Sequence, residues 1–417
     1  MSVSLGQGFL GLALVTSFFV RLESYPICQL LVISGIFWGY EFFILFLHFI
    51  QSDFSIAYLK MGLQAENKDF FLFLACITVL KVQPKDLRLV RRAFLILAIV
   101  LTVTGLISVF SEYRLAWMIS KLYRTMTTWG KHHFYGSVGP VSLYLPIGLM
   151  NTHLTFGGLL LFVYPAVFFH FLEAWIEKRK KTLIFLWMFF TLVLSFVFLL
   201  NNARSALLGT FISILFGLWL WFRRGNRIPF RIPWKSGILA LVLVGITSSL
   251  LYKTSEPFRL VVAPLLGSEK HTDSGRTFIW DSSFQLIQKS PIVGIGPGNY
   301  PKKIEEARKE RSLEFPELAF FYETTQRGHA HNDYFHLLTI FGFFQLVLYL
   351  LLAFYIFREI TESKIPFVEL SWTFGLIGFF FSGMLQCYFQ DDEVVILFWY
   401  LVGYLVQSNR VAEKLES

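Results

Sequence analysis

Three stretches put polar groups of reactive types at the ends of apolar runs. The first is Asn201-Asn202-Ala203-Arg204-Ser205, a tight turn with Arg204 opening the apolar run that follows. A cation there meets the positive end of the helix dipole, an unfavourable contact of a few tenths to about 1 kcal/mol. An anionic ligand would offset that cost and the cost of desolvation. Snorkelling to a membrane interface is the plain alternative. The second stretch is Gly275-Arg276-Thr277-Phe278-Ile279-Trp280, where helical spacing sets Arg276, Trp280 and Ser283 on one face. Arg259, Lys270 and Arg327 are competing cations nearby in sequence.

The third stretch is Arg327-Gly328-His329-Ala330-His331-Asn332-Asp333. Asn332 or Asp333 suits a helix N-cap. In a continuous helix, eleven residues at about 100° each bring His331 within about 20° of Gly342, on a face with Phe335 and Leu338. A glycine there admits a neighbouring helix or a polyprenyl chain. Two histidines at i, i+2 face different sides of a helix and lack a third ligand at matched spacing, so a zinc site is not expected. Proton transfer by one histidine is the more economical role, against the ordinary one of a hydrogen-bonded residue at a span end.

Other signals are weaker. Gly294-Ile295-Gly296-Pro297-Gly298-Asn299 resembles a dinucleotide fingerprint, but Asn299 replaces the third glycine and no βαβ pattern surrounds it, so a chain-redirecting turn is expected. Asp391-Asp392-Glu393 could hold Mg²⁺ or Mn²⁺, although a solvated connector is the expectation. Glu41 sits inside an apolar run and requires a partner that the sequence does not name. Trp117, Trp129, Tyr123 and Tyr135 read as interfacial anchors. No GxSxG, Walker or HExxH motif occurs.

The elements that must position these groups follow from composition. Of 417 residues, 55% are hydrophobic and only 16% charged, where a soluble protein carries about 25% charged residues. The fold class expected is an all-α polytopic membrane protein. Apolar runs near 2–20, 27–48, 70–83, 93–110, 136–151, 154–172, 182–200, 205–222, 236–252, 333–357, 367–388 and 394–408 suggest about 12 transmembrane helices. The first lacks a basic n-region and a cleavage site, so it reads as a retained helix. Cys28, Cys76 and Cys387 lie in or beside apolar runs, against a disulfide framework or redox pair.

The net charge of +9 resides partly in short basic clusters, Lys178 to Lys181 and Arg223 to Lys235, between spans. That is the pattern of cytoplasmic loops and argues against nucleic acid. Arg358 and Lys364 then lie inside, with 201–204, 253–331 and 389–393 outside. Lys81, Lys85, Arg88, Arg91 and Arg92 conflict with simple alternation from an inside N-terminus. Either one span before residue 80 is miscounted or 51–66 dips into the membrane.

The 253–331 segment holds 11 Lys/Arg and 10 Asp/Glu. A loop so long implies a purpose, and its balanced charge suggests a folded lid on the outer side. Within it an amphipathic helix is expected over 274–289, capped by Asp273 or Ser274 and ended by Ser290-Pro291. A second, charged helix should run from Pro301 to about Arg311. The division expected is 1–252 as a membrane domain of about nine spans, 253–331 as the lid, and 332–417 as the last three spans with a cytoplasmic tail.

The order of these features resembles the O-antigen ligase/polymerase superfamily of bacterial envelope glycan enzymes. It comprises Arg204 opening a span, Arg276-x-x-x-Trp280, Pro291-x-x-Gly-x-Gly-x-Gly-Asn-Tyr300, and His331-Asn332 before a span. His331-Asn332, nine residues and Gly342 resemble the ligase motif H-[NSQ]-x9-G, although Phe343-Phe344-Gln345-Leu346 replaces the T-T pair that follows in some ligases. The resemblance implies a GT-C-like fold in the bacterial inner membrane with its site facing the periplasm. It implies an inverting, metal-independent glycosyltransferase that needs no cofactor. The donor would be an undecaprenyl-pyrophosphate-linked glycan and the acceptor a hydroxyl of lipid A–core oligosaccharide. Carried across, the catalytic residues are Arg204, Arg276 and His331, with both arginines on pyrophosphate and Asn332, Trp280, Arg327, His329 and Gly342 in support. The same motifs fit a polysaccharide polymerase. A transporter or flippase is a third reading, which would call for internal pseudo-symmetry and broken helices at the midplane.

Overall fold

The computed structural model describes residues 28–116, 133–225, 275–324 and 328–416, with Ser249, Tyr252 and Lys253. In chain order the elements are α1 (Gln29–Gln51), α2 (Ile56–Gln64), α3 (Phe70–Leu80), α4 (Leu87–Val109), β1 (Phe134–Val138), β2 (Val141–Tyr144), α5 (His153–Ile176), α6 (Lys181–Asn201) and α7 (Arg204–Arg223). They continue with α8 (Arg276–Lys289), α9 (Tyr300–Glu314), α10 (Ala319–Thr324), α11 (Asp333–Phe341), α12 (Phe343–Thr361), α13 (Phe367–Leu370), α14 (Gly375–Ser382) and α15 (Asp392–Glu416). Among the described residues, seven helices are long and apolar enough to cross a membrane, α1, α4, α5, α6, α7, α12 and α15.

The protein is thus helical and polytopic, but the expected twelve spans are not all there. Residues 136–151 form an antiparallel hairpin and turns instead of a span. The apolar content masked four helix breakers: Gly139-Pro140 makes the hairpin turn with Gly139 at φ +58°, and Pro146 and Gly148 follow. The 333–357 run breaks at Gly342, and 367–388 divides into short helices. The candidates at 2–20 and 236–252 lie outside the described residues, apart from Ser249 and Tyr252.

The chain divides into two compact units. One comprises residues up to Arg91, Asp273–Pro366 and Leu376–Ser417. Here α3 packs along α15, and α1 along α12. Gly403 lets the α15 backbone lie against the Cys76 carbonyl, where a Cβ would force the helices apart. An aromatic core of Phe37, Trp38, Tyr349, Phe389, Phe398 and Trp399 fills the interior.

The two ends of this unit are chemically distinct. At one end, Arg358 donates to Gln29 (2.8 Å), Asn409 to the Glu359 carbonyl (3.2 Å), and Gln407 to the Val82 carbonyl (2.8 Å). The other end gathers His48, the glycine turn at 294–298, the His331 stretch and the start of α15. Helix α1 therefore runs from the Arg358 end to the His331 end, α2 stays there, and α3 returns. Lys81 and Lys85 therefore lie at the same end as Arg358, and because α2 does not cross, the conflict falls on the count before α1. The Ser55 side chain starts α2 by accepting from the Tyr58 amide (3.3 Å).

The other unit comprises Arg92–Thr272 and Phe367–Gly375. Helix α5, capped by Thr152 Oγ1 on the Thr155 amide (3.0 Å), packs against α6 and α7. Gly157 admits Ala203 and Asn201, and Gly217 admits Phe169. Phe185, Phe189, Leu192, Phe196 and Leu199 make an exposed stripe along α6, the face an apolar solvent would cover.

Candidate functional site

The sequence-predicted residues fall into both units. In the second unit, Arg204 opens α7 two residues after Asn202, which takes a left-handed φ of +56°. Buried Asn201 sets this turn by donating to the carbonyls of Pro146 (2.8 Å) and His153 (2.9 Å). The Tyr135 hydroxyl, from the hairpin, donates to the Leu200 carbonyl (2.7 Å). Tyr135 therefore braces the turn, a contact that its reading as an interfacial anchor does not include. Arg204 is half-buried and has no ion pair among the described residues.

The first unit brings together Arg276, Trp280, His329, His331 and Asn332, and holds Gly342 at the far end of α11. Arg276 opens α8 after Gly275, which takes a left-handed φ of +72°. Asp273 and Ser274, the expected caps, lie outside the described residues, as does Arg327. Trp280 Nε1 donates to the Ala330 carbonyl (2.9 Å), fastening α8 to the histidine stretch. Helix α9 covers the expected charged helix and locks to α8 through Ser283 and the Tyr300 hydroxyl (2.8 Å) and through Arg311 and Asp281 (3.1 Å).

His331 does not lie on a helix. It adopts φ +50°, a left-handed conformation rare outside glycine, and the helix starts two residues later. Asn332 is the cap: its Oδ1 accepts from the Phe335 amide at 3.0 Å. The wheel argument that stacked His331 over Gly342 therefore does not apply, because it assumed helical geometry through residue 331. Gly342 is the break between α11 and α12, with φ +80°. Its close neighbour is the backbone at Ile292, which belongs to the glycine turn. Phe343 donates to the Pro291 carbonyl (2.9 Å), Ile295 to Thr339 (2.9 Å) and Gly296 to Ile340 (3.0 Å). Gly294, Gly296 and Gly298 all take positive φ. The turn thus splices the lid segment to the end of α11. Glu66 holds it from below by accepting from the Gly298 amide (2.7 Å).

A third chain segment, 383–389, cradles the histidine stretch. Asp333 donates its amide to the Gly383 carbonyl (2.7 Å), Asn332 Nδ2 donates to Met384 (2.9 Å), and the Asn332 amide donates to Cys387 Sγ (3.2 Å). His331 Nδ1 meets Gln386 Oε1 at 2.9 Å. Neither Gln386 nor Cys387 was singled out as a site residue. A glutamine inside an apparent span was the available signal, since lipid penalises it.

Burial pushes both histidines toward the neutral form. His329 falls to about 4 by burial first, then by the positive charges of His331 and Arg276. His331 is lowered by burial; the Gln386 hydrogen bond opposes this and the Arg276 charge adds to it. The ring planes are inclined at 74°, with centroids 4.3 Å apart. The arrangement couples a neutral imidazole to a guanidinium whose charge both histidines feel.

Asp391-Asp392-Glu393 is not merely solvated, because Asp392 pairs with Lys68 Nζ at 2.7 Å. Glu41 has its partner in Gln345 Nε2, at 2.7 Å.

Residues 187–350 match the family model described as O-antigen ligase. The chain carries an O-antigen ligase family segment. This segment contains Arg204, Arg276, Trp280, His331 and Gly342, the residues on which the resemblance rested, and stops before Gln386. Members of this family are glycosyltransferase-like enzymes acting on lipid-linked glycans, in keeping with a multi-pass membrane protein. No curated protein matches the chain.

Proposed function

We propose that the protein transfers a glycan from undecaprenyl pyrophosphate to a hydroxyl of lipid A–core oligosaccharide. The observation that carries this reading is His331, held neutral beside Arg276 within the family segment. The acceptor oxygen attacks C1 of the glycan while the C1–O bond to pyrophosphate breaks and its electron pair leaves with the lipid diphosphate. The hydroxyl proton passes to His331, a step that typically contributes about 10²–10⁴-fold in rate. Arg276 stabilises charge growing on the phosphate oxygens, and the family resemblance gives Arg204 the same role. Guanidinium forks match these oxygens and do not lose their proton, and in a dry site they are worth several kcal/mol of barrier. Attack opposite the leaving group inverts C1, and no cofactor or metal is required.

By the positive-inside rule, the end with Lys81, Lys85, Arg358 and Lys364 faces the cytoplasm and the His331 end the periplasm of the inner membrane. In this reading 253–331 is the periplasmic lid segment, between membrane parts at 1–252 and 332–417. An open apolar groove of about 490 Å³ beside α6, lined by Leu95, Leu106, Leu183, Trp187 and Val193, suits a polyprenyl chain.

Purified protein given lipid-linked glycan and lipid A–core should yield the joined product. Full activity in His331→Ala would remove the histidine from its role, and loss of transfer on adding EDTA would replace this mechanism with a metal-dependent one. The second reading, a polymerase, rests on motifs the two branches share. Deleting a ligase strands long polymer on the carrier, whereas deleting a polymerase strands single repeats.

A further inference from the structure

We infer that Gln386 is a positioning residue that fixes His331 in one tautomer, with the proton on Nδ1 and the lone pair on Nε2. This rests on the proposed reading only in so far as it makes His331 a base; the tautomer itself is a claim about hydrogen bonding. An amide oxygen only accepts. With Oε1 facing His331 Nδ1 at 2.9 Å, that nitrogen carries the proton and Nε2 is left as the acceptor.

The rest of the local structure serves to hold this pair. Gln386 is 5% exposed, so water competes little for its amide. The residues around it grip the strand that bears the histidine: Met384 through Asn332 Nδ2 (2.9 Å), and Cys387 through the Asn332 amide (3.2 Å). The turn is closed by Leu385 donating to the Ser382 carbonyl (3.0 Å). On the other side, the His331 amide donates to His329 Nδ1 (3.2 Å), which holds the backbone in its left-handed conformation. The charged and titratable groups that bear on the imidazole are Arg276 and His329, with the Cys387 thiol beside the strand.

The choice of an amide has a chemical consequence. A carboxylate at this position would orient the ring equally well but would favour the imidazolium, which cannot accept a proton. Glutamine orients without adding charge, so the ring stays a base in its resting state. When the acceptor O–H bond breaks and Nε2–H forms, the positive charge spreads to Nδ1–H and strengthens its bond to Gln386.

The test uses the full chain in nanodiscs with ¹⁵N-labelled histidine, assigning the His331 signals by their loss in His331→Ala. Wild type should show neutral His331, at pH values above its pKa, protonated at Nδ1 and not at Nε2. Gln386→Glu should raise the His331 midpoint by about one unit or more, and the acid limb of kcat/KM should move with it. Gln386→Leu should lower kcat by about tenfold or more with KM little changed. Were that variant not to fold, the wild-type tautomer and the Gln386→Glu titration decide the matter alone. An Nε2–H tautomer in wild type, or an unmoved midpoint in Gln386→Glu, overturns the inference. A midpoint that moves while the rate profile does not leaves the tautomer standing and overturns His331 as the base.

Discussion

Gly342 and Ile292 meet backbone to backbone, and a Cβ on Gly342 would overlap the Ile292 carbonyl oxygen. The glycine that ends the ligase-like motif is therefore required by the glycine turn of the preceding segment. Gly294 makes the reciprocal contact, where a Cβ would overlap the Ile340 carbonyl. Gly342→Ala should lose stability twice, through this overlap and through a φ of +80° with ψ −174°. Strain at such a position costs about 1–3 kcal/mol. Thermal unfolding in detergent should show a clearly lower midpoint, and an unchanged one would mean that the turn moves away freely.

Asn332 does two jobs with one amide. Its oxygen caps α11 and its nitrogen holds the Met384 carbonyl. Asn332→Ala should cost about 1–2 kcal/mol from the cap alone. Asn332→Ser, which restores only the capping oxygen, should recover part of the stability and less of the transfer activity, since the side-chain bond that ties the histidine stretch to Met384 stays missing. Equal recovery of both would reduce Asn332 to a cap.

The parts of this site that were legible in the sequence are those set by local rules. The start of α11 and the two helices after Gly275 follow from caps, glycines and prolines within a few residues. The 383–389 cradle was not read, because Gln386 is 55 positions from His331 and its one signal, a polar amide in an apparent span, names no partner. The hairpin at 134–144 was missed because apolar content outweighed Gly139-Pro140 in the reading of a span. The basic loop at 81–92 looked misplaced because sides were counted from an inside N-terminus through the run at 2–20, which lies outside the described residues; α2 does not cross and so changes no side.

Glu41 on α1 and Gln345 on α12 are buried partners at 2.7 Å. Gln345→Leu should leave the carboxyl without this donor, a penalty of about 1–3 kcal/mol. Glu41→Leu should be costly for the converse reason. The double leucine variant should be less destabilised than the sum of the two, since the polar groups leave together. Additive losses in denaturation midpoints would show that the pair is not energetically coupled.

The position of Arg276 sets a pH signature. Burial and this cation lower His331 from its ordinary 6.5, so the neutral base persists to lower pH. Removing the cation in Arg276→Gln should move the acid limb of the rate profile upward, toward that ordinary value, while also lowering the rate at every pH. Profiles normalised to their maxima separate the two effects. A limb that stays in place would mean that Arg276 does not act on the titrating group.

Glu66 makes the opposite prediction for stability. Burial raises its carboxyl from 4.5 to about 7, against the hydrogen bond from the Gly298 amide and the Lys68 charge, which both lower it. A folded-state pKa above the unfolded one means that the unfolded chain ionises first. The stability from this group is therefore complete below about pH 4.5 and is lost as pH rises through about 7. His329 acts in the other direction: it is held neutral with a folded pKa of about 4, so its contribution is lost as pH falls from 6.5 through that value. Glu66→Gln keeps an oxygen for Gly298 and removes the ionisation. Its unfolding midpoint should exceed that of wild type at pH 8, and the alkaline decline should flatten while the acid decline remains. The same alkaline decline in both proteins would place the buried charge elsewhere.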